Sequence, residues 1–98
     1  MQIYDRKEGE TLTVAPIGRL DTTTAPEFEK TLDALLNGVT NLILDMEKIT
    51  YVSSAGLRAI LKLQKLMQKR GKMTLTGVND DVREIFEITG FADILQIE

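Results

Sequence analysis

The chain has 98 residues, of which 43% are hydrophobic and 28% charged, and its formal net charge is −3. This composition is typical of one soluble globular domain, and the small negative charge argues against a nucleic-acid interface. No apolar run approaches the roughly 18 residues that insert across a membrane.

Histidine and cysteine are both missing from the sequence. Their absence excludes Ser-His and Cys-His catalysis, disulfide bonds and zinc–thiolate sites, and it leaves only carboxylate or lysine mechanisms open. We therefore expect no enzymatic activity, no cofactor and no metal site. The N-terminal residues Met1–Arg6 lack the apolar core of a secretory signal. We therefore expect a cytoplasmic protein.

The first half of the chain predicts two strands and a helix. Strands over Met1–Lys7 and Thr11–Gly18 are joined by a short turn that contains glycine. Pro16 lacks an amide hydrogen, so we expect it at an edge or an unpaired position. Thr24 and Glu27 fit a capping box for a helix that ends at Asn37-Gly38. Its apolar stripe consists of Phe28, Leu32, Leu35 and Leu36.

The second half predicts alternating strands and helices. The apolar run Leu42–Leu44 is typical of a central strand covered on both faces, and residues 46–52 are expected to connect it to a helix. This helix runs from Ala55 to Arg70 and ends at Gly71. A strand around Met73 and Leu75 follows. Asn79 is expected to cap a third helix, residues 80–89, before a last short strand over residues 94–97.

The order β-β-α-β-α-β-α-β predicts a single α/β domain over residues 1–98. Its mixed sheet has an antiparallel N-terminal hairpin, is otherwise largely parallel, and packs against about three helices. Ligands and partners usually meet such a sheet at the carboxyl ends of its strands. Three polar segments are expected to gather there: Gly18–Thr23, Met46–Ser54 and Gly77–Asp81.

Ser54 directly precedes the apolar periodicity of the second helix. One interpretation is structural: the serine caps the helix by accepting a bond from a first-turn amide. The other is functional, since unpaired amides and the positive end of the helix dipole suit a phosphate. Both interpretations are compatible with the sequence.

Two motifs in this order resemble the STAS domain family, specifically its single-domain anti-sigma factor antagonists. The first is Gly18-Arg19-Leu20-Asp21 followed by Thr24-Ala25. The second runs from Leu44-Asp45-Met46 through Ile49–Val52 into Ser53-Ser54-Ala55-Gly56-Leu57. Many family members carry Asp before the phosphorylated serine and Ser or Thr after it, where this chain has Ser53 and Ala55.

The resemblance implies that Ser54 is the phosphoacceptor, with Ser53 as the alternative. It also implies an anti-sigma factor with serine kinase activity as the partner, which releases its sigma factor when the unphosphorylated chain binds. Phosphorylation breaks this contact and a serine phosphatase restores it. The implied partner-binding residues are Asp21, Thr22, Thr23, Ser53, Ser54, Gly56, Leu57 and Arg58.

Two other functions stay open at this point. The chain is alternatively a STAS-type scaffold subunit of a transporter or signalling assembly, with no serine switching. A nucleotide-binding role is less favoured, because no phosphate-binding loop is present. A basic stripe on the second helix is either a solvated face or a contact for an acidic partner. It consists of Arg58, Lys62, Lys65 and Lys69.

Overall fold

A computed structural model describes residues 1–98 and contains five strands, three α-helices and one short 3₁₀ helix. The strands are β1 (Gln2–Glu8), β2 (Thr11–Leu20), β3 (Asn41–Asp45), β4 (Ile49–Val52) and β5 (Lys72–Thr76). The helices are α1 (Ala25–Leu35), α2 (Ser54–Arg70) and α3 (Asp80–Ile88), and the 3₁₀ helix is Phe91–Asp93. The predicted α/β class is confirmed.

The sheet has the strand order β1-β2-β3-β5, and β4 pairs with β2 outside this path. The β1–β2 hairpin is antiparallel and the other pairs are parallel, as expected. Strand β2 is shared along its length, because residues 11–14 pair with β3 and residues 18–20 pair with β4. Pro16 lies between these stretches, so neither parallel partner needs the amide that proline lacks.

Strand β4 corrects the prediction of a plain connection over residues 46–52. Only Ile49 and Val52, at the two ends of the strand, are buried, so the sequence shows no alternation. The strand exists because its backbone pairs with the far end of β2. Such long-range pairing leaves little local signal in four residues.

The prediction that β3 is covered on both faces is wrong. Leu42 and Leu44 are fully buried, whereas Ile43 between them is half-buried. Helices α1 and α2 contact the sheet and each other over the face that carries the buried leucines. The opposite face is only partly covered, which gives β3 the alternation of a strand with one buried side.

The C-terminal region begins as predicted and ends differently. Asn79 caps α3 by accepting a hydrogen bond from the Val82 amide at 2.8 Å. The strand expected over residues 94–97 is not formed: these residues follow the 3₁₀ helix in a turn, and only Ile97 pairs, in one parallel bridge to Leu75. Gly90, with φ of 79°, ends the helical segment in the left-handed conformation that favours glycine.

One cluster of 23 buried apolar residues forms the core between the sheet and the helices. Phe28 and Leu32 contribute the buried stripe of α1, and Ile60 and Met67 lie in that of α2. None of the helices combines the length and the apolar character needed to span a membrane.

Candidate functional site

The three polar segments meet at the carboxyl ends of the parallel strands, as the predicted topology requires. The Ser53 amide donates to the Leu20 carbonyl at 2.9 Å, which joins the end of β2 to the end of β4. The Asn79 side-chain amide donates to the Ile49 carbonyl at 3.0 Å, which brings in the loop after β5. These bonds fix the relative positions of the loops that carry the predicted site residues.

The loop between β2 and α1 is organised by the Asp21 carboxylate. Its Oδ1 accepts hydrogen bonds from the backbone amides of Thr23 at 3.0 Å and Thr24 at 3.1 Å. The Thr24 hydroxyl accepts from the Asp21 amide at 2.9 Å and donates to the Arg19 carbonyl at 2.7 Å. The bond from the Thr24 amide is the main reason that the pKa of Asp21 lies below its usual value of 3.8.

This network corrects the predicted capping box at the start of α1. Thr24 makes no side-chain hydrogen bond to a first-turn amide of the helix. Glu27 does not reach back to the Thr24 amide, because Asp21 already accepts from it. Asp21, three residues before Thr24, therefore accepts the amide bond that was expected to go to Glu27, and the bond expected between the Thr24 hydroxyl and the Glu27 amide is not made.

Arg19 and Tyr51 form a stacked pair beside this loop. They are direct register partners across the β2–β4 pair, and the Arg19 Cζ lies 4.3 Å from the centroid of the Tyr51 ring. The Arg19 Nε also lies 3.7 Å from Asp21 Oδ2. Tyr51 stays 39% exposed, so the pair presents an aromatic and cationic surface of the kind that often anchors protein interfaces.

Ser53, not Ser54, caps α2, which corrects the predicted cap. Ser53 has extended backbone angles, and its hydroxyl accepts a hydrogen bond from the Gly56 amide at 3.3 Å. This bond to the third helical residue is the usual capping geometry. The side chain is half-buried, and its hydroxyl is already engaged.

Ser54 is the first residue of α2 and is exposed. Its hydroxyl makes no hydrogen bond within the chain, in contrast to that of Ser53. Arg58 lies four residues further along α2, and it is also exposed. Residues at this spacing lie on the same face of a helix. An exposed hydroxyl thus lies next to unpaired helix amides and a guanidinium group on the same helix face.

Gly56 and Leu57, both expected to contact a partner, are buried beneath this surface. A Cβ at Gly56 would overlap the Leu20 carbonyl oxygen and would lie 3.0 Å from side-chain carbons of Leu20 and Val52. The glycine therefore allows α2 to pack closely against the ends of β2 and β4. The expected residues that keep some exposure are Asp21, Thr22, Thr23, Ser53, Ser54 and Arg58.

The site has little capacity for catalysis of its own. The Asp21 carboxylate accepts backbone amides, and its lowered pKa makes it a weak base. No group of three or more acidic side chains is arranged to hold a metal ion. The arrangement suits docking of a partner and modification of Ser54 by another enzyme.

Residues 2–98 match the family model of the STAS domain. The chain belongs to the STAS domain family. The anti-sigma-B factor antagonist of Staphylococcus aureus is 32% identical to it over 82 residues, which cover 82% of this chain and 76% of that protein. BtrV of Bordetella bronchiseptica is 37% identical over 82 residues, 82% of this chain and 71% of BtrV.

Solved structures of the anti-sigma factor antagonist SpoIIAA share the fold of this STAS domain. The unphosphorylated form superposes with a TM-score of 0.83 at 18% identity, over 99% of this chain and 88% of SpoIIAA. The phosphorylated form from Bacillus gives a TM-score of 0.75 at 17% identity, over 99% and 91% of the two chains. The same architecture thus exists in a form that carries a phosphate.

Proposed function

We propose that this STAS domain is a non-enzymatic anti-sigma factor antagonist that acts in the cytoplasm and is switched at Ser54. The unphosphorylated chain binds an anti-sigma factor that is also a serine kinase, and this frees a sigma factor. Phosphorylation of Ser54 ends the contact, and a serine phosphatase restores it. The names of the relatives support the antagonist role.

The observation that carries the switch is the contrast between two adjacent serines. Ser53 is half-buried and uses its hydroxyl to cap α2, whereas Ser54 is exposed and its hydroxyl is free. A kinase needs an accessible hydroxyl that can be aligned with a nucleotide phosphate. Ser54 meets this requirement without any loss of helix capping, and this favours it over Ser53.

The modification changes charge more than structure. In the transfer, the Ser54 oxygen forms a bond to the terminal phosphorus of ATP, ADP leaves, and the hydroxyl proton is released. The new group carries about −1.5 to −2 charges at neutral pH. At the first turn of α2 it is tolerated by the helix dipole, and the Arg58 guanidinium lies within one turn. The fold therefore persists while the docking surface becomes strongly negative.

The partner contact is proposed to use the exposed rim around Ser54. Thr22, Thr23 and Arg58 are exposed, and Asp21 holds the threonine loop in place through backbone amides. We add Arg19 and Tyr51 to the expected set, because their stacked side chains extend this rim along the β2–β4 edge. A phosphate in its middle would lose its water when a partner docks, and this desolvation is costly even with the Arg58 guanidinium nearby.

The test uses wild-type chain, Ser54→Asp and Ser53→Asp as baits in lysate of the source organism, with retained proteins identified by mass spectrometry. We expect wild type to retain an anti-sigma factor with serine kinase activity and Ser54→Asp to release it. Ser53→Asp keeps the cap, because aspartate also caps helices well, and adds the same charge one residue away. Retention of the partner by Ser53→Asp supports a switch specific to Ser54, and its release would show that any negative charge at this rim breaks the contact.

Phosphorylation is then measured directly with the captured kinase and ATP. Wild type and Ser53→Ala are expected to gain one phosphate and Ser54→Ala none. A phosphate on Ser54→Ala but not on Ser53→Ala would transfer the switch to Ser53. If all baits instead retain a transporter or export subunit equally, the chain is a scaffold subunit and the antagonist proposal fails.

A further inference from the structure

A groove runs between α1 and α2 on the side of the helices that faces away from the sheet. Its volume is about 400 Å³. The floor of the groove is apolar. Its most exposed residue is Leu66, which is half-buried. The other apolar residues of the floor are Phe28, Leu32, Ala59 and Leu63. These four are buried, so Leu66 is the apolar side chain that a ligand in the groove meets first, between two charged rims.

The two rims of the groove carry opposite charges. The α2 rim carries Lys62, Lys65 and Lys69, and the α1 rim carries Glu29 and Asp33. Across the groove, Lys62 reaches Glu29 at 3.7 Å. Lys65 and Lys69 are exposed and have no carboxylate within 4.0 Å, so two adjacent turns of α2 present uncompensated positive charge.

We propose that this groove is a docking site for an amphipathic helix of a partner protein. The apolar stripe of that helix lies on the Leu32–Leu63–Leu66 floor, and its acidic edge lies against the α2 lysines. Charge complementarity supports this occupant. The three lysines span seven residues, or about 10 Å of helix, and a helix with acidic residues three or four apart repeats at the same interval. A ligand with one carboxylate would use only one lysine.

The α1 rim fixes the orientation of the bound helix. Because Asp33 is exposed on that side, the opposite edge of the partner helix is expected to be basic or neutral. The arrangement corresponds to the charged flanks of a coiled-coil seam, which select partner and direction. The groove is a surface separate from the proposed switch, because Lys65 and Lys69 lie two turns or more further along α2 than Ser54.

A second, smaller cleft continues the groove toward the candidate site. It shares Glu29 and Lys62 with the groove and ends at Thr22 and Arg58. A helix bound along α2 would therefore extend toward the Ser54 rim. One partner can contact both the groove and the rim around Ser54. Binding in the groove does not depend on modification of Ser54.

The test uses a synthetic helical peptide of about 14 residues, roughly four turns, with leucines at helix spacing, glutamates on one edge and lysines on the other. Binding is followed by fluorescence anisotropy, and its location by amide chemical shifts of the ¹⁵N-labelled chain. We expect shifts at Leu32, Leu63 and Leu66. Lys65→Glu/Lys69→Glu should weaken binding by about tenfold or more. The matched control Lys30→Glu/Lys72→Glu makes the same charge change outside the groove and should stay within about twofold of wild type.

A second peptide carries lysines on both edges. When lysines replace the glutamates, the peptide should bind wild type weakly and Lys65→Glu/Lys69→Glu better. Equal binding of both peptides to wild type, or shifts outside the groove, would overturn the proposal. The proposal would also fail if dodecanoate displaced the peptide and caused the same chemical-shift changes in the groove at a lower concentration than the peptide does. Ser54→Asp should bind the peptide like wild type, so a failed switch and a failed groove give different results.

Discussion

The starts of α1 and α2 lie at the same end of the sheet but use their polar side chains differently. Before α1, the Asp21 carboxylate accepts hydrogen bonds from the amides of Thr23 and Thr24. The Thr24 hydroxyl accepts from the Asp21 amide and donates to the Arg19 carbonyl. Before α2, Ser53 alone provides the cap, and Ser54 next to it makes no bond. The polar side chains at the start of α1 are thus hydrogen-bonded within the chain, whereas the start of α2 leaves the Ser54 hydroxyl free.

This difference shows that the residue that caps a helix decides which hydroxyl is left for chemistry. A serine in the capping position contributes to stability, and its substitution changes the fold and the function together. A serine one residue later is free of that constraint. In α2 the cap is Ser53, and the chemical role that we propose belongs to the adjacent Ser54.

The third residues of the two helices should respond most differently. Gly56→Ala is expected to lower the free energy of unfolding by about 3 kcal/mol, since the added methyl group overlaps the Leu20 carbonyl and overpacks the end of the sheet. Glu27→Ala, at the same position of α1, removes only an exposed ion pair with the Met1 ammonium at 2.9 Å and should change it by at most about 1 kcal/mol. Urea unfolding followed by circular dichroism measures both. Equal effects would contradict the close packing at the start of α2.

Asp21→Ala should destabilise the chain more than removal of the α2 cap does. Two backbone amides lose their acceptor at Asp21, whereas only one loses its acceptor at Ser53. The same unfolding measurement, with Ser53→Ala as the reference, checks the order. If Asp21→Ala proves the more stable of the two, the α1 start does not depend on the carboxylate network.

The two serines should separate in the same assay. Ser53→Ala is expected to lower the free energy of unfolding by about 1 kcal/mol, the usual cost of a lost cap. Ser54→Ala should stay within about 0.5 kcal/mol of wild type, because its hydroxyl bonds to nothing in the chain. A larger loss at Ser54 than at Ser53 would mean that Ser54 is the cap after all.

The smallest effect is the pH dependence at Asp21. Its pKa is lowered in the folded chain, so its ionised form adds stability at pH values above the ordinary 3.8. That contribution is lost as the pH falls below 3.8 through the lower folded pKa. Asp21→Asn should therefore be less stable than wild type at neutral pH, and the gap should narrow at about pH 3. Unfolding midpoints at the two pH values measure it; a constant gap would contradict the effect.

Much of the fold followed from local patterns in the sequence. The apolar stripes of α1 and α2, the Asn79 cap and the glycine after each helix locate these elements within one or two residues. Strand β4 was missed because only Ile49 and Val52 are buried in it. The last strand was predicted where a single bridge at Ile97 exists, since apolar residues alone do not show how many backbone groups pair.

The gathering of the loops at the candidate site was predicted, but the hydrogen bonds within these loops were not. The gathering of three loops follows from parallel strands, and the STAS resemblance indicated Ser54. The caps at Asp21 and Ser53 could not be distinguished from Thr24 and Ser54, since neighbouring polar residues compete for the same amides. The Arg19–Tyr51 stack depends on the register between β2 and β4, so it could not be found while β4 was unknown.

The division of β2 at Pro16 has a consequence for local opening. The stretch of β2 that pairs with β4 covers only residues 18–20 and includes a register shift, whereas the stretch before Pro16 lies between β1 and β3 in continuous pairing. Amide hydrogens near Leu20 and Ser53 should therefore exchange with solvent through smaller fluctuations than those of Leu12 and Val14. The end of the sheet next to Ser54 should thus open locally while the pairing of β2 with β1 and β3 stays intact.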